Sequence, residues 1–246
     1  YYSEDTNILN TEIENTYFNL EILQTDCAPT NLENVLIRRY ILLNKNTIPL
    51  DIKFLIHSKL LTNQNNEVAS RIVKDGLIQY THDYNFAIFS NQEIMTHKLN
   101  DVDNVIESAY LEDKDYIGMS NNAAIMYKIK TLLPGERIEI PIYIYINDNN
   151  EKYRNIEIEK EIDRISKVDY NSEILKTKKY WRKYVKEHSK IEFGETNYEY
   201  RIKNIYNRTI LLYPLLYNQK TGGIAAAMEV DENKTRCGRY AYSWPR

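Results

Sequence analysis

The sequence contains few of the residues that mark unusual fold classes. Its 246 residues include two cysteines, seven glycines and six prolines. Two cysteines exclude a small disulfide-stapled scaffold, and the low glycine and proline content excludes collagen-like and low-complexity chains. Cys27 and Cys237 stand far apart, and so low a count predicts a reducing compartment and therefore a cytoplasmic protein. A disulfide between these two residues, or a leader upstream of Tyr1, stays open as an alternative.

Long apolar runs and an excess of one charge sign are also absent. A helix that spans a bilayer needs roughly 20 apolar residues, whereas the apolar segment 140–146 is strand-length and contains proline and tyrosine. The 32 basic and 35 acidic residues are spread along the chain, without a basic block that could neutralise a row of phosphates. The composition therefore predicts no membrane and no nucleic acid as a partner.

Tyrosine is the residue present in unusual number. The chain has 22 tyrosines against five phenylalanines and two tryptophans. A tyrosine combines a flat apolar ring with a polar tip, which suits surfaces that are only half shielded from water. Both sugar-binding surfaces and protein interfaces have this character, so the count alone leaves the two open.

The first two thirds of the chain show the period-two alternation of β-strands. In the clearest stretch, 138–146, isoleucine occupies every second position, and Pro134-Gly135 supplies the turn before it. Pro141 inside this stretch predicts an edge strand or a bulge. Shorter stretches of the same kind recur with turn residues between them, and together they predict a two-layer antiparallel β-sandwich over residues 17–165 with almost no helix.

After about Asn171 the apolar period becomes helical. Ile174, Trp181, Val185 and His188 recur on one face while lysine and glutamate fill the others. Asn171-Ser172 offers an N-cap for this helix. A break follows at Phe193-Gly194.

A second and more apolar helical pattern begins after that break, with Thr196 or Asn197 as its cap. Its apolar positions are Tyr198, Ile202, Ile205, Tyr206, Ile210 and Tyr213. Pro214 is expected to kink or end the helix within a turn, because proline lacks the N–H that the helix needs.

Two motifs stand near the C-terminal end. Thr221–Glu229 reads TGGIAAAME, and Cys237–Arg246 reads CGRYAYSWPR. Together they strongly resemble the start of the catalytic domain of glycoside hydrolase family 15, the glucoamylases and related α-glucosidases. There a glycine-rich turn, a small-residue strand and an acidic loop precede a Tyr-x-Trp-Pro-Arg-Asp signature. This sequence stops at the arginine, which predicts that it is part of a longer protein.

The resemblance also implies an architecture for the whole chain. Bacterial members of the family carry an antiparallel β-sandwich of the supersandwich type, then a linker helix, then an (α/α)6 barrel. The resemblance thus implies a mainly β fold with C-terminal helices. It predicts a sandwich domain at residues 1–170, a linker helix at 171–194 and the beginning of a truncated barrel at 195–246.

For function, the resemblance implies the N-terminal portion of an inverting, exo-acting hydrolase that releases glucose from an α-glucan or maltooligosaccharide. Arg246, with the aspartate that would follow it, would hold hydroxyls of the terminal glucosyl unit, and Tyr240 and Trp244 would line the same pocket. A guanidinium offers a planar fork of donors, and an aromatic ring covers the apolar face of a pyranose.

The chemistry implied by the resemblance needs two carboxylates about 6.5 to 9.5 Å apart, one to protonate the leaving oxygen and one to activate water. In the family both come from later barrel helices. We therefore expect no catalytic residue in this chain and an inactive isolated segment. No metal and no organic cofactor are expected, because two carboxylates and a water suffice.

Two other functions stay open at this point. One is a carbohydrate-binding or purely structural β-sandwich module. Exposed coplanar aromatic residues on a sheet face would favour binding, and a tyrosine-rich face docked on helices would favour a scaffold. The other is a sugar phosphorylase, which shares the plan of a sandwich followed by an (α/α)6 barrel. Linkage preference among α-1,4, α-1,6 and α,α-1,1 bonds and the oligomeric state also stay open.

The remaining polar motifs have simpler interpretations. Glu229 and Asp231 are expected to form a solvated turn. His82 and His97 are expected to be strand or loop residues, since they lack a third ligand or a nucleophile partner at a telling spacing. The triplet Asn207-Arg208-Thr209 matches a glycosylation site but lies on a predicted helix.

Overall fold

The computed structural model describes residues 1–60, 68–104, 108, 110–148, 155–218 and 222–225. Ten strands and three helices follow one another in these residues. The strands are β1 (Leu9–Asn15), β2 (Leu20–Cys27), β3 (Val35–Asn44), β4 (Phe54–Lys59), β5 (Ala69–Val73), β6 (Gly76–Tyr80), β7 (Tyr84–Ser90), β8 (Ile94–Leu99), β9 (Asn122–Tyr127) and β10 (Arg137–Asp148), and the helices are α1 (Asn155–Ser166), α2 (Tyr170–His188) and α3 (Asn197–Leu216). No described helix is both long enough and apolar enough to cross a membrane.

The chain divides into two compact units. Unit 1 comprises Tyr1 and Ile8–Thr177, and unit 2 comprises Tyr2–Asn7 and Lys178–Arg246. The division falls inside α2, so the first turns of this helix belong to unit 1 and the rest to unit 2. Unit 2 is discontinuous in sequence, because it includes the segment that precedes β1.

Unit 1 is built from two antiparallel sheets, as the alternating pattern predicts. Seven strands form the larger sheet in the order β1-β2-β3-β10-β7-β6-β5, and three strands form the smaller one in the order β4-β9-β8. The core between the sheets combines side chains from both: Leu42, Leu77, Ile88, Ile140 and Ile142 from the large sheet, and Leu99, Ala123, Ile125 and Tyr127 from the small one. The predicted antiparallel β-sandwich is therefore confirmed.

The opposite face of the large sheet is also buried. Ile37, Ile78, Phe89, Tyr143 and Tyr145 project from this face and pack with Ile158, Ile162 and Ile165 of α1. Helix α1 lies within the stretch predicted to contain almost no helix, so that detail of the prediction is wrong. Its Ile158, Ile162 and Ile165 are spaced at i, i+4 and i+7, which places them on one face of a helix.

Strand β10 corrects the prediction made from Pro141. It lies between β3 and β7, so it is an interior strand rather than an edge strand. Its pairing with β3 includes Pro141, opposite Arg39, whereas its pairing with β7 begins one residue later, at Ile142 opposite Ser90. Proline has no N–H to donate, and the end of one ladder is a place where that loss costs little.

The turn before β10 forms as predicted. The backbone N–H of Glu136 donates to the carbonyl of Leu133 at 2.9 Å, and Gly135 has a φ of +74°. A type II turn needs a positive φ at its third residue and favours proline at its second, which is the order of Pro134 and Gly135.

Helices α2 and α3 begin close to their predicted positions, and α2 ends at His188, before the predicted break at Phe193-Gly194. Helix α2 buries Ile174, Trp181 and Val185 but leaves His188 exposed. Its cap is Asp169 rather than Asn171 or Ser172, because the Asp169 carboxylate accepts the backbone N–H groups of those two residues at 3.1 and 3.3 Å.

The predicted cap of α3 is confirmed at Thr196. Its hydroxyl accepts the N–H of Glu199 at 3.3 Å, and the Glu199 carboxylate accepts the N–H of Thr196 at 3.2 Å. This reciprocal pair satisfies two donors at the start of the helix. The helix ends at Leu216, two residues after Pro214, as predicted from the missing proline N–H.

Candidate functional site

The three residues predicted to bind substrate, Tyr240, Trp244 and Arg246, lie outside the described residues. Glu229 and Asp231 of the predicted solvated turn lie outside them as well, as does Cys237. The substrate pocket implied by the resemblance therefore stays a prediction. The structure does describe the histidines and other polar residues of unit 1.

The two histidines singled out in the sequence occupy a strand and a turn. His82 is exposed in the turn between β6 and β7. His97 lies on β8, where its Nδ1 is 2.8 Å from a carboxylate oxygen of Asp113 and its Nε2 is 2.9 Å from one of Asp115. These carboxylates approach opposite sides of the ring, so they do not converge on one point. Among the described residues, no group of three or more His, Cys, Asp or Glu side chains could hold a metal ion.

A polar cleft of about 550 Å³ is the candidate functional site of unit 1. We call it the polar cleft. Lys59 at the end of β4 lines it, together with Asn100, Asp101 and Asp103 after β8 and residues 119–122 before β9. It is thus assembled where the ends of the three strands of the small sheet meet.

A buried hydrogen-bond network holds the floor of the polar cleft in place. Gln79 on β6 is its centre: its amide nitrogen donates to the Ser70 hydroxyl at 3.1 Å and to the backbone oxygen of Asn121 at 2.8 Å. The Ser58 hydroxyl donates to the Gln79 amide oxygen at 2.6 Å. Because a buried polar group must be paired, this network fixes the backbone of residues 120–122.

The rim of the polar cleft carries an ion pair. The ammonium of Lys59 lies 3.1 Å from a carboxylate oxygen of Asp103. The hydrogen bond from Lys59 holds the pKa of Asp103 below its ordinary value against the opposing effect of burial, and the charge of Lys59 and smaller contributions from Asn122 and His57 act in the same direction as the hydrogen bond. A general acid needs a raised carboxyl pKa, so Asp103 remains an ionised acceptor at neutral pH and is unsuited to protonate a leaving group.

A loop with exposed apolar side chains reaches the same cleft. Tyr110, Tyr116, Ile117 and Met119 are exposed in this loop, residues 110–119, and Met119 lines the cleft. Backbone bonds between Lys114 and β8 hold the loop, as do the contacts of His97 with Asp113 and Asp115. A hydrogen-bonding cleft beside exposed apolar groups can bind a polar ligand.

Sequence reasoning did not find the polar cleft. Its residues come from three separate stretches, and each looks like an ordinary strand end or turn when considered alone. The single local signal is the pair Asn100 and Asp101, both with positive φ, at 78° and 51°. Asn and Asp adopt this conformation more readily than other side chains, and it turns the chain sharply after β8.

Comparison by sequence finds nothing similar: no family model matches the chain, and no curated protein matches it. Comparison by structure does find relatives. A bacterial glucoamylase in complex with acarbose superposes with a TM-score of 0.69 at 13% identity, covering 93% of this chain and 33% of the glucoamylase. A protein described as a kojibiose phosphorylase from the human microbiome superposes with a TM-score of 0.60 at 14% identity, covering 90% of this chain and 30% of that protein.

These likenesses define the fold. The chain spans about a third of the length of either relative. At such low identity the comparison supports a shared architecture but not a particular reaction. Two antiparallel sheets followed by C-terminal helices match the N-terminal β-sandwich region of glucoamylase-like enzymes.

Proposed function

We propose that this chain is the N-terminal portion of a carbohydrate-active enzyme, and more specifically of an inverting exo-acting hydrolase that releases glucose from α-glucans or maltooligosaccharides. The observation that carries the proposal is an uncovered apolar stripe on α3, at the position in the chain order where the barrel of such an enzyme would begin. The proposed enzyme is cytoplasmic and needs no cofactor.

The exposed stripe of α3 consists of Tyr198, Ile202, Ile205 and Leu212. These positions are separated by four, three and seven residues, so they lie on one face of the helix. All four are exposed, and Ile205 is 68% exposed. The side of α3 that is covered is a different one, where Leu211 packs with Trp181 and Val185 of α2.

Such a stripe is costly to leave in water. At about 25 cal/mol per Å² of apolar surface, several side chains of this size amount to several kcal/mol, comparable with the stability of a domain. In an (α/α)6 barrel a helix of this kind packs against neighbouring helices. The stripe therefore supports a boundary near residue 195 between a sandwich with its linker helix, at 1–170 and 171–194, and a barrel of which 195–246 is the start.

The sandwich is proposed to support the barrel rather than to bind sugar with its tyrosines. Tyr143 and Tyr145 of β10 are buried and pack against α1. The Tyr143 hydroxyl donates to the carbonyl of Val168 at 3.2 Å, and burial raises the pKa of Tyr143 to about 12. These rings are docked on a helix, which is the arrangement that distinguishes a scaffold from a sugar-binding sheet face.

In this proposal the signature residues form part of the substrate pocket. The Arg246 guanidinium would donate to hydroxyls of the non-reducing glucosyl unit, and Tyr240 and Trp244 would cover its apolar face. The two carboxylates that carry out hydrolysis would follow later in the barrel, at the spacing that leaves room for a water molecule.

The test begins with the coding sequence downstream of residue 246, which should encode two glutamates in loops beside helices. The encoded longer polypeptide should release β-glucose from maltotriose, while the 246-residue chain alone releases none. In the longer protein, Trp244→Ala and Arg246→Lys should lower kcat/KM by at least about tenfold, or 1.4 kcal/mol. Trp181→Phe, in the unit 2 core, is the matched control and should leave kcat/KM unchanged. Release of glucose by the 246-residue chain alone would refute the proposal.

A sugar phosphorylase is the alternative that the kojibiose phosphorylase likeness favours. It would share the sandwich and the exposed stripe of α3. The same assay separates the two: a phosphorylase needs inorganic phosphate and yields a glucose phosphate, whereas a hydrolase works in phosphate-free buffer. Phosphate-dependent turnover would identify the enzyme as a phosphorylase rather than a hydrolase. The broader proposal of a carbohydrate-active enzyme would still hold.

A further inference from the structure

Unit 2 contains a second cavity, which we call the Asn207 pocket. Its volume is about 370 Å³, within the range of small-molecule sites. One wall is the N-terminal segment from Tyr2 to Asp5, and the other is the face of α3 that carries Tyr200, Asn207 and Arg208. We infer that the Asn207 pocket is a saccharide-binding site, which takes a neutral pyranose unit against Tyr200 with a hydroxyl donated to the Asn207 amide oxygen.

The first observation behind this inference is an unpaired acceptor. Asn207 is only 4% exposed, and its Nδ2 donates to an Asp5 carboxylate oxygen at 2.9 Å. An ionised carboxylate only accepts, so this contact fixes which end of the amide faces Asp5. The other end, Oδ1, is buried and has no hydrogen-bond partner. A buried acceptor without a donor is rare in folded proteins and indicates a missing partner that can donate.

The second observation concerns charge. Arg208 hydrogen-bonds to the backbone oxygen of Thr6 at 2.8 Å and to the side-chain oxygen of Asn7, both of them neutral acceptors. Its guanidinium lies 3.8 Å from the centre of the Tyr2 ring, and burial lowers the pKa of Arg208. Glu4 and Asp5 line the same pocket. A pocket with both signs of charge favours neither an anion nor a cation, whereas a neutral polyhydroxylated ligand can donate to the carboxylates and accept from the guanidinium.

The third observation concerns shape. Tyr2 and Tyr200 line the pocket and are 51% and 55% exposed. A half-exposed tyrosine ring suits the apolar face of a pyranose, because its edge and hydroxyl remain in water. Since Oδ1 of Asn207 is covered by its neighbours, a ligand reaches it when an exposed wall side chain such as Tyr200 rotates. Such rotations of exposed side chains are fast.

The N-terminal wall is held by specific contacts. Asp5 has a φ of +51°, in the left-handed region that aspartate tolerates. The backbone N–H and the hydroxyl of Thr6 both donate to the carbonyl of Ser3, at 3.1 and 2.8 Å. Asn7 donates from Nδ2 to the carbonyl of Leu211 at 3.0 Å. The segment is therefore anchored on α3, and this wall of the pocket is in place without a ligand.

The direct test is the side-chain amide signal of Asn207 in ¹⁵N NMR spectra of the full 246-residue chain, assigned with Asn207→Leu. Maltotriose is the probe, with sorbitol and inorganic phosphate as comparisons. We expect maltotriose to shift the signal at millimolar concentration. Sorbitol, which has hydroxyls but no ring, should bind at least about tenfold more weakly, and phosphate should leave the signal unchanged.

Two matched variants keep the test independent of whether Asn207→Leu folds. Tyr200→Ala should weaken maltotriose binding by about tenfold. Tyr198→Ala removes a tyrosine that is 73% exposed on the same helix and does not line the pocket, so it should leave binding unchanged.

Several results would overturn the inference. They are an Asn207 signal that maltotriose does not move, tighter binding of phosphate, equal binding of sorbitol, and equal losses in Tyr200→Ala and Tyr198→Ala. The inference does not depend on the proposed function. Binding of maltotriose near Tyr240–Arg246 that leaves the Asn207 signal in place would overturn this site alone.

Discussion

The large sheet of unit 1 and helix α3 of unit 2 differ in how completely their apolar surfaces are covered. In unit 1 the large sheet is covered on both faces, by the small sheet on one side and by α1 on the other. In unit 2 helix α3 buries Asn207, Ile210 and Leu211 while the stripe from Tyr198 to Leu212 stays exposed. Unit 1 therefore has a core covered on both faces of its large sheet, whereas α3 has an apolar face that stays exposed.

Limited proteolysis should show the largest difference between the two units. Trypsin should cut first C-terminal to about Gly194, at sites such as Arg201 and Lys203, and leave the sandwich intact. Proteolysis requires local opening, and a helix with one uncovered face opens more readily than a strand in a two-sided core. Mass spectrometry of the fragments identifies the first cut. A dilute monomer that resists cleavage throughout α3 would show that unit 2 is as complete as unit 1.

A cavity in the core of unit 1 should have the next largest effect. Phe89 is fully buried and stacks on Tyr143, with ring centres 5.4 Å apart. Phe89→Ala should lower the free energy of unfolding by about 3–5 kcal/mol, because it removes a buried ring and leaves a cavity. Urea unfolding followed by far-UV circular dichroism measures the change. A loss below about 1 kcal/mol would contradict a tightly packed second face.

The acid sensitivity of unit 1 should depend on Glu139 of β10. Burial raises the pKa of Glu139, but hydrogen bonds from Asn171 and Tyr170 and the charge of Arg39 outweigh it and hold the pKa below the ordinary value of 4.5. A carboxylate with a lowered pKa in the folded state stabilises fully above its unfolded pKa. That contribution is lost as the pH falls through the lower folded value.

Glu139→Gln removes this charge and keeps the shape of the side chain. It should cost about 1–2 kcal/mol at pH 7, since hydrogen bonds to a charged acceptor are worth about 1.5–3 kcal/mol and neutral ones about 1. Below pH 4.5 the difference between variant and original should shrink, which thermal unfolding from pH 7 to pH 3 measures. A difference that stays constant over this range would assign the effect to packing.

The cap of α3 should give a smaller effect. A Cβ on Gly194 would lie 2.5 Å from both carboxylate oxygens of Glu199, so Gly194→Ala must displace the carboxylate that pairs with Thr196. The expected cost is about 0.5–2 kcal/mol, the usual value of an N-cap. Glu199→Ala is the control: if both variants act through the cap, their effects should not add. Additive losses would mean that Gly194 acts in another way.

The exposed stripe should contribute least to the stability of the isolated chain. Ile205→Ser should change the free energy of unfolding by no more than about 0.5 kcal/mol, as is usual for surface sites. The same change should reduce self-association at high concentration, which analytical ultracentrifugation detects, because it interrupts an exposed apolar face. A loss of several kcal/mol would show that the stripe is covered within the chain.

The regular elements could be predicted because their signals are local. Alternating isoleucines are enough to identify β10, and a cap at Thr196 or Asn197 before an apolar helical pattern is enough to identify the start of α3. Helix α1 was missed although Ile158, Ile162 and Ile165 have helical spacing. The sequence Ile156-Glu157-Ile158-Glu159 also alternates like a strand, and it follows a long strand. Short apolar segments are ambiguous in this way.

The candidate sites could not be predicted because they are assembled over long sequence distances. The polar cleft joins strand ends that are tens of residues apart, and the Asn207 pocket joins Asp5 to a residue 202 positions later. Chemistry of this kind depends on the tertiary structure, and a local signal such as Asn100-Asp101 indicates a turn but not a site. The predicted substrate residues Tyr240, Trp244 and Arg246 present the opposite case, since a local motif indicates them.

The discontinuity of unit 2 has a consequence for how the protein is made. Asn7 binds the carbonyl of Leu211, 204 residues later, so the ribosome must synthesise all of unit 1 before this contact can form. At about 5–20 residues per second that interval is roughly 10–40 s. Unit 1 can fold within this time, whereas the residues of α3 that Tyr2 to Asn7 contact have not yet been synthesised. Residues Tyr2 to Asn7 are thus synthesised before unit 1 but can make their contacts with α3 only after it.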